Sequence, residues 1–216
     1  MKRLVLILST LLIAASVSSA QSEKTTHSFG EYMSLGPVVG MGNSWVGNMG
    51  GATKFRPAAN IGIGFVYARN QHWGWGGQAL FATEGYNVNY NGYNAKATGE
   101  YLRVPLRGYY FFGDYKNVVR PKIFLGPEMG LKLGEQNSFN YPAGEYTLTQ
   151  RTGSFRTLDF GLNGGIGLNV KLMRAMWLNI DMGYYQGLTD VIKDPAAQYN
   201  VNHNLGGNVG LLFGIK

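Results

Sequence analysis

The last eleven residues before the C-terminal lysine alternate between two kinds of side chain. The odd positions are apolar apart from one glycine: Leu205, Gly207, Val209, Leu211, Phe213 and Ile215. The even positions are small or polar apart from one leucine: Gly206, Asn208, Gly210, Leu212 and Gly214. Successive side chains of an extended strand point to opposite faces, so this segment has one apolar face and one small or polar face. Such a strand is typical of a sheet that meets hydrocarbon on one side only.

Seven further segments show the same alternation, so eight strands are predicted. They cover residues 32–42, 60–68, 73–84, 101–112, 122–133, 158–172 and 176–185. The connections after the second, fourth and sixth strands are short, whereas the others run about a dozen residues or more. Short turns on one side of a membrane and long loops on the other are typical of outer-membrane barrels. The sequence therefore predicts an all-β protein, an eight-stranded antiparallel up-and-down transmembrane β-barrel over residues 32–216.

The ionised side chains inside these strands all have the inward parity. They are Glu84, Arg103, Arg107, Lys122, Glu128, Lys132, Asp159, Lys171 and Asp181. A Lys or Arg facing lipid at mid-depth costs about 2 to 4 kcal/mol, so this segregation favours a lipid-facing exterior and a polar lumen. Because eight strands enclose a space just wide enough for side chains, we expect these charges to pair and to close the lumen. The register of the hairpin makes Arg103 and Glu128 the first ion pair expected. The alternative to a closed lumen is a gated pore.

A soluble, lipocalin-like carrier barrel is the competing architecture. Such a carrier places apolar side chains inside and charges outside, which inverts the segregation found in this sequence. Beyond residue 20 the chain has no apolar run of about 18 residues, the length that a membrane-spanning helix needs. An exported chain of this kind crosses a bilayer as a closed barrel, in which every backbone hydrogen bond is made between strands.

The first twenty residues predict an export signal. Lys2 and Arg3 precede an apolar run over residues 4–15, and a stretch of small residues ends at Ala20. We expect residues 1–20 to be a cleaved signal peptide and residues 21–31 to be a periplasmic N-terminal segment. A retained helix is disfavoured because the run is too short, and a lipoprotein anchor because the chain has no cysteine. The same absence of cysteine excludes disulfides and thiolate metal sites.

Charge and histidine content argue against several classes of function. The formal net charge is +7 without a Lys/Arg cluster, so we expect outer-membrane lipid rather than nucleic acid as a partner. The three histidines are too dispersed for a metal site, and we expect no metal, no cofactor and no catalytic residue. One alternative is a rim-located lipid-modifying enzyme, for which His203 is the candidate base and Asp190 or Asp194 the candidate carboxylate.

The connections on the outer side contain the candidate binding residues. Residues 86–94 are rich in Tyr, Asn and Gly, and residues 142–145 resemble a turn between two extended segments. Mixtures of this kind supply rigid aromatic contact area beside adaptable hydrogen bonding, as protein-binding and glycan-binding loops do. The candidates are Tyr90, Tyr93, Phe139, Tyr141 and Tyr146. The turn predicts a protruding hairpin that pairs Tyr141 with Tyr146 and Phe139 with Leu148, and the same register continues to Met129 opposite Leu158.

Four short motifs carry a family resemblance. Residues 101–112 read YLRVPLRGYYFF and residues 121–130 read PKIFLGPEMG, while LDFGL and GLTD follow at residues 158–162 and 187–190. These motifs resemble the PorT-like outer-membrane β-barrel family, and the likeness extends from about residue 29 to the end of the chain. The resemblance implies an eight-stranded barrel in the outer membrane of a Gram-negative cell, with some relatives linked to type IX protein secretion. It implies no active site.

Together these observations predict the class of protein rather than its ligand. We expect an integral outer-membrane β-barrel protein of a Gram-negative cell envelope, exported by its signal peptide and monomeric. We expect a closed polar lumen and no enzymatic activity. A structural or binding role, associated with secretion or adhesion, is expected to be exercised through the extracellular loops on a protein or glycan partner.

Overall fold

The computed structural model describes residues 32–47, 52–90, 93–114, 116–141, 144–150, 155–173, 175–192 and 199–215. The predicted signal peptide, residues 1–20, and the predicted periplasmic segment, residues 21–31, lie outside these residues. Within them, no helix has the length and apolar character needed to cross a membrane.

The described part of the chain contains ten β-strands. They are β1 (Tyr32–Val46), β2 (Ala52–Lys54), β3 (Arg56–Ala68), β4 (Trp73–Tyr90), β5 (Tyr93–Phe111), β6 (Val119–Tyr141), β7 (Gly144–Gln150), β8 (Leu158–Met173), β9 (Met176–Gly187) and β10 (Asn202–Ile215). Eight of them form a ring in the order β1, β3, β4, β5, β6, β8, β9 and β10, and β10 pairs with β1 to close it. All pairings in the ring are antiparallel. The predicted eight-stranded barrel is therefore confirmed.

The pairing register determines how strongly the strands tilt. One row of paired residues starts at Tyr67 on β3, passes once around the barrel and returns to β3 at Pro57, ten residues away. With a rise of about 3.3 Å per residue and about 4.8 Å between strands, this stagger corresponds to a tilt of about 41°. A barrel of this geometry has an interior that side chains fill.

The two faces of the barrel wall differ in chemistry as the alternation predicts. Leu125, Ile166 and Met182 point outward and are 65%, 62% and 61% exposed. Arg103 and Lys122 point inward and are 2% and 1% exposed. Since apolar side chains cover the outside and charges lie inside, the soluble carrier barrel is excluded as an architecture.

An aromatic belt surrounds part of the periplasmic end. Trp73, Trp75 and Phe112 are exposed on the outward face, and the ring of Trp73 meets that of Tyr110 at 5.0 Å. The ring of Tyr67 contacts Trp75 at 5.5 Å. Amphipathic rings prefer the boundary between hydrocarbon and headgroups, so this belt indicates where the inner leaflet ends.

Three neighbouring strands rise well beyond the membrane on the opposite, extracellular side. β4, β5 and β6 contain 18, 19 and 23 residues, whereas about 9 to 11 residues cross a bilayer. Their outward positions change from apolar to polar at Thr83, Glu100 and Gln136. Beyond these points β4 and β5 each extend for seven more residues, about 23 Å, and β6 for five more, about 17 Å. With β2 beside β4 and β7 beside β6, they form what we call the raised sheet.

Two expectations about this region were wrong. Residues 86–90 and 93–94 belong to strands rather than to a loop, and Tyr90 pairs with Tyr93. The β6–β7 hairpin does pair Phe139 with Leu148, but Tyr141 pairs with Gly144 instead of Tyr146. Further down, Met129 pairs with Phe160 rather than Leu158.

The pairing of Tyr141 with Gly144 follows from a shift in the β6–β7 register between Phe139 and Tyr141. The slip at Met129 has a separate structural cause. Phe155, which follows β7 and precedes β8, forms a bridge to Ile192 and therefore leaves the path alongside β6. A second irregularity occurs between Glu100 and Tyr101, where the β5–β6 pairing shifts. Neither departure has a signal in the alternation of apolar and polar residues, which is all that the sequence prediction used.

Candidate functional site in the lumen and at the rims

Two rows of paired residues inside the barrel repeat one arrangement: a cation, a glycine and a carboxylate on three adjacent strands. Arg103 on β5 pairs with Gly130 on β6, which pairs with Asp159 on β8. Lys122 on β6 pairs with Gly167 on β8, which pairs with Asp181 on β9. Because the middle residue has no side chain, each cation crosses one strand and meets its carboxylate on the next. Arg103 Nη1 lies 2.8 Å from Asp159 Oδ2, and Lys122 Nζ lies 2.8 Å from Asp181 Oδ1.

Neither glycine leaves room for a larger residue. A Cβ atom added at Gly130 would lie 2.7 Å from Arg103 Nη1. One added at Gly167 would lie 2.3 Å from Asp181 Oδ1 and 2.8 Å from Lys122 Cε. The inward glycines therefore provide the clearance that these ion pairs need.

Arg103 is surrounded by three carboxylates. Its guanidinium is in contact with Glu84, with Nε 3.1 Å from Oε1, and approaches Glu128 Oε1 only to 3.9 Å. The side chain also lies over the rings of Tyr101 and Tyr185, at 4.8 and 4.6 Å from their centroids. Ionic and cation–π contacts both favour the charged guanidinium in this buried position.

Arg103, Glu84, Glu128 and Asp159 form what we call the upper cluster. Hydrogen bonds from neutral groups complete the coordination of Asp159. The Tyr185 hydroxyl donates to Asp159 Oδ1 at 2.9 Å, and Asn202 Nδ2 donates to Oδ2 at the same distance. A buried carboxylate is costly unless its remaining lone pairs are satisfied, so these donors reduce the cost of burying Asp159.

A second cluster lies closer to the periplasm and is centred on Asp181. Arg107 Nη1 is 3.5 Å from Asp181 Oδ2, and Asn179 Nδ2 donates to the same oxygen at 2.9 Å. Arg107 Nε donates to Asn163 Oδ1 at 2.8 Å, and its guanidinium lies over the Phe124 ring. The upper cluster has three carboxylates and one cation, whereas this cluster has one carboxylate and two cations, so the two are complementary in charge.

The structure thus brings together seven of the nine lumen residues predicted from the sequence: Glu84, Arg103, Arg107, Lys122, Glu128, Asp159 and Asp181. Lys132 lies apart at the extracellular mouth, where Nζ is 2.9 Å from Glu135 Oε2. Lys171 lies apart at the periplasmic end, with Nζ 5.8 Å from the Trp177 ring. Arg103 and Glu128 do meet, but Glu84 and Asp159 are closer to the guanidinium.

Several members of the lumen site have no formal charge and were not among the predicted residues. Asn163, Asn179 and Tyr185 have the inward parity, so the alternation places them correctly, but nothing in it shows that they join the ion pairs.

Arg120 is a charged lumen residue that was not predicted, because it precedes the predicted start of its strand. It shares the parity of Lys122. It is 3% exposed, lies over the Phe111 ring and donates to the backbone carbonyl of Gln71.

Apolar side chains fill the periplasmic end of the lumen. The cluster consists of Val66, Tyr109, Phe111, Phe124 and Leu212, with Trp177 packed against it. The ring centroids of Tyr109 and Phe111 are 5.8 Å apart, and Lys122 Nζ lies 4.8 Å from the Tyr109 centroid. These inward-facing rings form a dry layer beneath the charged clusters, and we call it the periplasmic plug.

A second apolar layer closes the extracellular mouth, and we call it the extracellular cap. It consists of Val46, Ala97, Phe155, Val191 and Ile192, with Tyr86 packed against it. The Arg156 amide donates to the Val191 carbonyl at 2.8 Å, and Lys132 Nζ donates to the Phe155 carbonyl at 2.6 Å. The segments that precede β8 and follow β9 are therefore tied together across the mouth.

The space left between the two layers is small. One cavity of about 50 Å³ lies between the charged clusters and the wall formed by β1, β3 and β10, where small residues predominate. Asn60, Asn204 and Asn208 line it opposite Glu128 and Asp181. A polar cavity of this size holds about four water molecules, and ligand pockets are usually several times larger.

The five predicted binding residues all lie in the raised sheet. Tyr90 and Tyr93 end β4 and begin β5, Phe139 and Tyr141 lie at the end of β6, and Tyr146 lies in β7. The register puts Tyr90 opposite Tyr93 and Phe139 opposite Leu148, so the two hairpin tips lie side by side on paired strands. Their side chains lie outside the described part of the structure.

The rim histidine does not meet Asp190, one of the two carboxylates considered for an enzyme. His203 Nδ1 lies 2.8 Å from the Tyr184 hydroxyl, and its ring stacks on Trp45 at 5.2 Å. Asp190 instead binds Arg156 at 3.3 Å and accepts a hydrogen bond from the Ile192 amide at 3.1 Å. Asp194 lies outside the described residues. Within those residues, no group of three His, Cys, Asp or Glu side chains is arranged to hold a metal ion.

Comparison with protein families gives one match. The family described as "Outer membrane protein beta-barrel domain" matches residues 19–193, which is most of the chain. No curated protein sequence matches significantly.

Solved structures with the same fold are membrane barrels. The crystal structure of the outer membrane protein OprG from Pseudomonas aeruginosa gives a TM-score of 0.51 at 18% identity and covers 87% of this chain and 96% of that chain. The NMR solution structure of the E. coli Outer Membrane Protein W gives 0.49 at 18% identity, with 88% and 100% covered. The crystal structure of Neisserial surface protein A gives 0.45 at 14% identity, with 84% and 98% covered. At these identities the likeness concerns the fold alone.

Proposed function

We propose that this chain, which belongs to the outer membrane protein beta-barrel domain family, is a non-conducting barrel that binds a protein or glycan partner through its raised sheet. The family and the fold make it an outer-membrane β-barrel protein of a Gram-negative bacterium. The observation that carries the proposal is that apolar layers occupy both ends of the lumen and paired charges its middle, while β4, β5 and β6 continue far above the membrane.

Three layers support the non-conducting part of the proposal. An ion that enters from outside meets the extracellular cap, then the paired charges around Arg103 and Asp181, then the periplasmic plug. Displacing a buried cation from its carboxylates costs about 3 to 5 kcal/mol, and the packed side chains of the periplasmic plug occupy the lumen below the charged clusters.

Strand length supports the surface-binding part of the proposal. A barrel that only needs to span the bilayer requires no strand as long as β6, whose 23 residues make it about twice the necessary length. Five strands pair in the raised sheet, which gives its hairpin tips a rigid base. Tyr and Asn at such tips provide aromatic area and hydrogen-bonding groups at low entropic cost.

Planar-bilayer recordings test whether the lumen is closed. The folded protein, identified by its altered gel mobility without boiling, is expected to give no stable current steps. As a matched control, Phe155→Gly combined with Phe124→Gly removes one ring from the extracellular cap and one from the periplasmic plug, and is expected to raise leakage. Ohmic steps from the unaltered protein would contradict the proposal.

Photocrosslinking in intact cells tests the binding role. A photoreactive amino acid at Tyr93 or Tyr141 is expected to capture a discrete protein or glycan species. The same amino acid at Trp73, on the periplasmic belt, serves as the control. Identical adduct patterns at all three positions would contradict a specific binding surface.

The finer expectations are part of this proposal. A role in secretion, which the PorT-like resemblance implies, requires the captured species to be an exported protein. A role in adhesion requires it to be a host or matrix component.

We also propose that the protein is not an enzyme, because Tyr184 and Trp45 occupy the surroundings of His203. His203→Ala is then expected to leave the acylation pattern of cellular lipids unchanged. A changed pattern would favour the rim enzyme.

A further inference from the structure

Four aromatic side chains form a cluster on the outward face at the extracellular rim, on the side away from the raised sheet's tallest strands. The ring centroids of Trp45, Tyr184 and His203 all lie within 6.2 Å of one another. Phe55, at the interruption between β2 and β3, meets Trp45 edge-on at 5.0 Å and is 66% exposed. We call these four residues the rim cluster.

The rim cluster lies where the apolar surface of the barrel meets the polar surroundings. Leu205 lies just below it on β10 and is lipid-facing, while Asn43 is exposed beside it on β1. Gln186 follows Tyr184 on the same face of β9. In an outer membrane this level is the headgroup region of the outer leaflet, which consists largely of glycolipid.

The chemistry of the rim cluster suits a sugar. The Tyr184 hydroxyl lies 3.0 Å from Gln186 Oε1 and 2.8 Å from His203 Nδ1, so hydrogen-bonding groups lie beside the ring faces. A pyranose ring presents a C–H face that packs on aromatic rings and hydroxyls that bond to such groups. Arg56, next to Phe55, turns away and donates to the Ala97 carbonyl at 3.1 Å, so it does not add a cation for a phosphate.

The distribution of the rings argues against a general interfacial anchor. At the same boundary on β6 and β8, the last outward apolar residues are Leu133 and Leu158, which are exposed and aliphatic. An anchor that only senses the membrane boundary would serve equally well on every strand. Phe81 on β4 and Phe160 on β8 are also exposed rings near this boundary, but at the rim cluster four rings from β1, β9, β10 and the interruption before β3 pack against one another. We propose that the rim cluster is a binding site for the sugar headgroup of an outer-leaflet glycolipid.

In-cell photocrosslinking tests this site with a control at the same depth. Benzoylphenylalanine replaces Phe55 in one variant and Leu158 in the other, and folding of each is checked by gel mobility without boiling. Lipopolysaccharide adducts are then detected with an antibody against its sugar. The adduct at position 55 is expected to exceed that at position 158 several-fold. Adding Trp45→Leu is expected to reduce the adduct at 55 to the level at 158.

Each other outcome overturns the proposal. Equal lipopolysaccharide adducts at the two positions would mean that the rings only mark the leaflet boundary. A protein adduct at position 55 would mean that the rim cluster is a protein interface. An adduct at 55 that persists after Trp45→Leu would mean that the ring face does not recognise the sugar.

Discussion

Replacing Gly130 with alanine perturbs the crossing of Arg103 over β6 without removing any charged group. The new Cβ would lie 2.7 Å from Arg103 Nη1 and 3.0 Å from Cζ. Glu84 and Asp159 hold the guanidinium on two sides and the residue is 2% exposed, so a retreat from the new Cβ into the small cavity beside it lengthens these ion pairs. Overpacking alone costs about 1 to 3 kcal/mol, and full separation of Arg103 from Asp159 raises the cost to about 3 to 5 kcal/mol.

Gly108→Ala is the matched control on an adjacent strand. Gly108 faces lipid, and the nearest atom to an added Cβ is the Leu125 carbonyl oxygen at 3.7 Å, an ordinary contact. We expect Gly108→Ala to leave stability unchanged or to raise it by about 0.4 to 1 kcal/mol, because alanine restricts the unfolded chain. Any loss of unfolding free energy in Gly130→Ala relative to Gly108→Ala therefore reports the crowding of Arg103.

Urea unfolding in phospholipid vesicles measures both variants. The four tryptophans provide the fluorescence signal, and gel mobility without boiling provides the folded fraction. In an Arg103→Met background the penalty of Gly130→Ala is expected to disappear, since the shorter side chain ends before it reaches β8. Penalties that add within about 0.5 kcal/mol, or a Gly130→Ala variant as stable as Gly108→Ala, would refute the reasoning.

Three further outcomes follow from the same contacts, all measured by urea unfolding. Lys122→Met leaves Asp181 with Arg107 as its remaining ion-pair partner among the described residues and is expected to cost about 3 to 5 kcal/mol. Lys171→Met, which loses a contact with Trp177, is expected to cost at most about 1 kcal/mol. Phe155→Ala empties the centre of the extracellular cap and is expected to cost about 3 to 5 kcal/mol and to speed hydrogen exchange at the Arg156 amide. Arg156→Ala removes a largely exposed ion pair and is expected to cost no more than about 1 kcal/mol. A similar loss of unfolding free energy in Lys122→Met and Lys171→Met, or in Phe155→Ala and Arg156→Ala, would contradict the assigned layers.

The alternation of residues carried enough information to predict the barrel. Leu205, Val209 and Ile215 share one face, and the same parity holds around the ring because lipid imposes a single requirement on every outward position. Above the membrane that requirement ends. In residues 86–90, 93–94 and 134–141 the positions that continue the outward face are polar or glycine, so no lipid-facing stripe marks them as strands. Residues 86–94 were predicted as a loop, and residues 139–141 as part of a protruding hairpin.

The sequence predicted which charged side chains face the lumen, but for most of them it did not predict which residue each one contacts. Parity places Arg103, Asp159 and Asp181 inside, yet which groups meet depends on the register between strands distant in sequence. Arg103 reaches Asp159 because Gly130 intervenes, a relation visible only once β5, β6 and β8 are aligned. The periplasmic plug was missed for a different reason: Tyr109 and Phe124 are apolar residues with inward parity, and the segregation of charge says nothing about them.

Oxygen accessibility along β10 tests most directly whether lipid surrounds the barrel while the polar groups lie inside. The chain has no cysteine, so single cysteines at Asn204, Leu205, Asn208 and Val209 can each carry a nitroxide label in bilayers. Power-saturation electron paramagnetic resonance is expected to show high collision rates with oxygen at Leu205 and Val209 and low rates at Asn204 and Asn208. Equal rates at all four positions, or higher rates at the two asparagines, would contradict this structure of the wall.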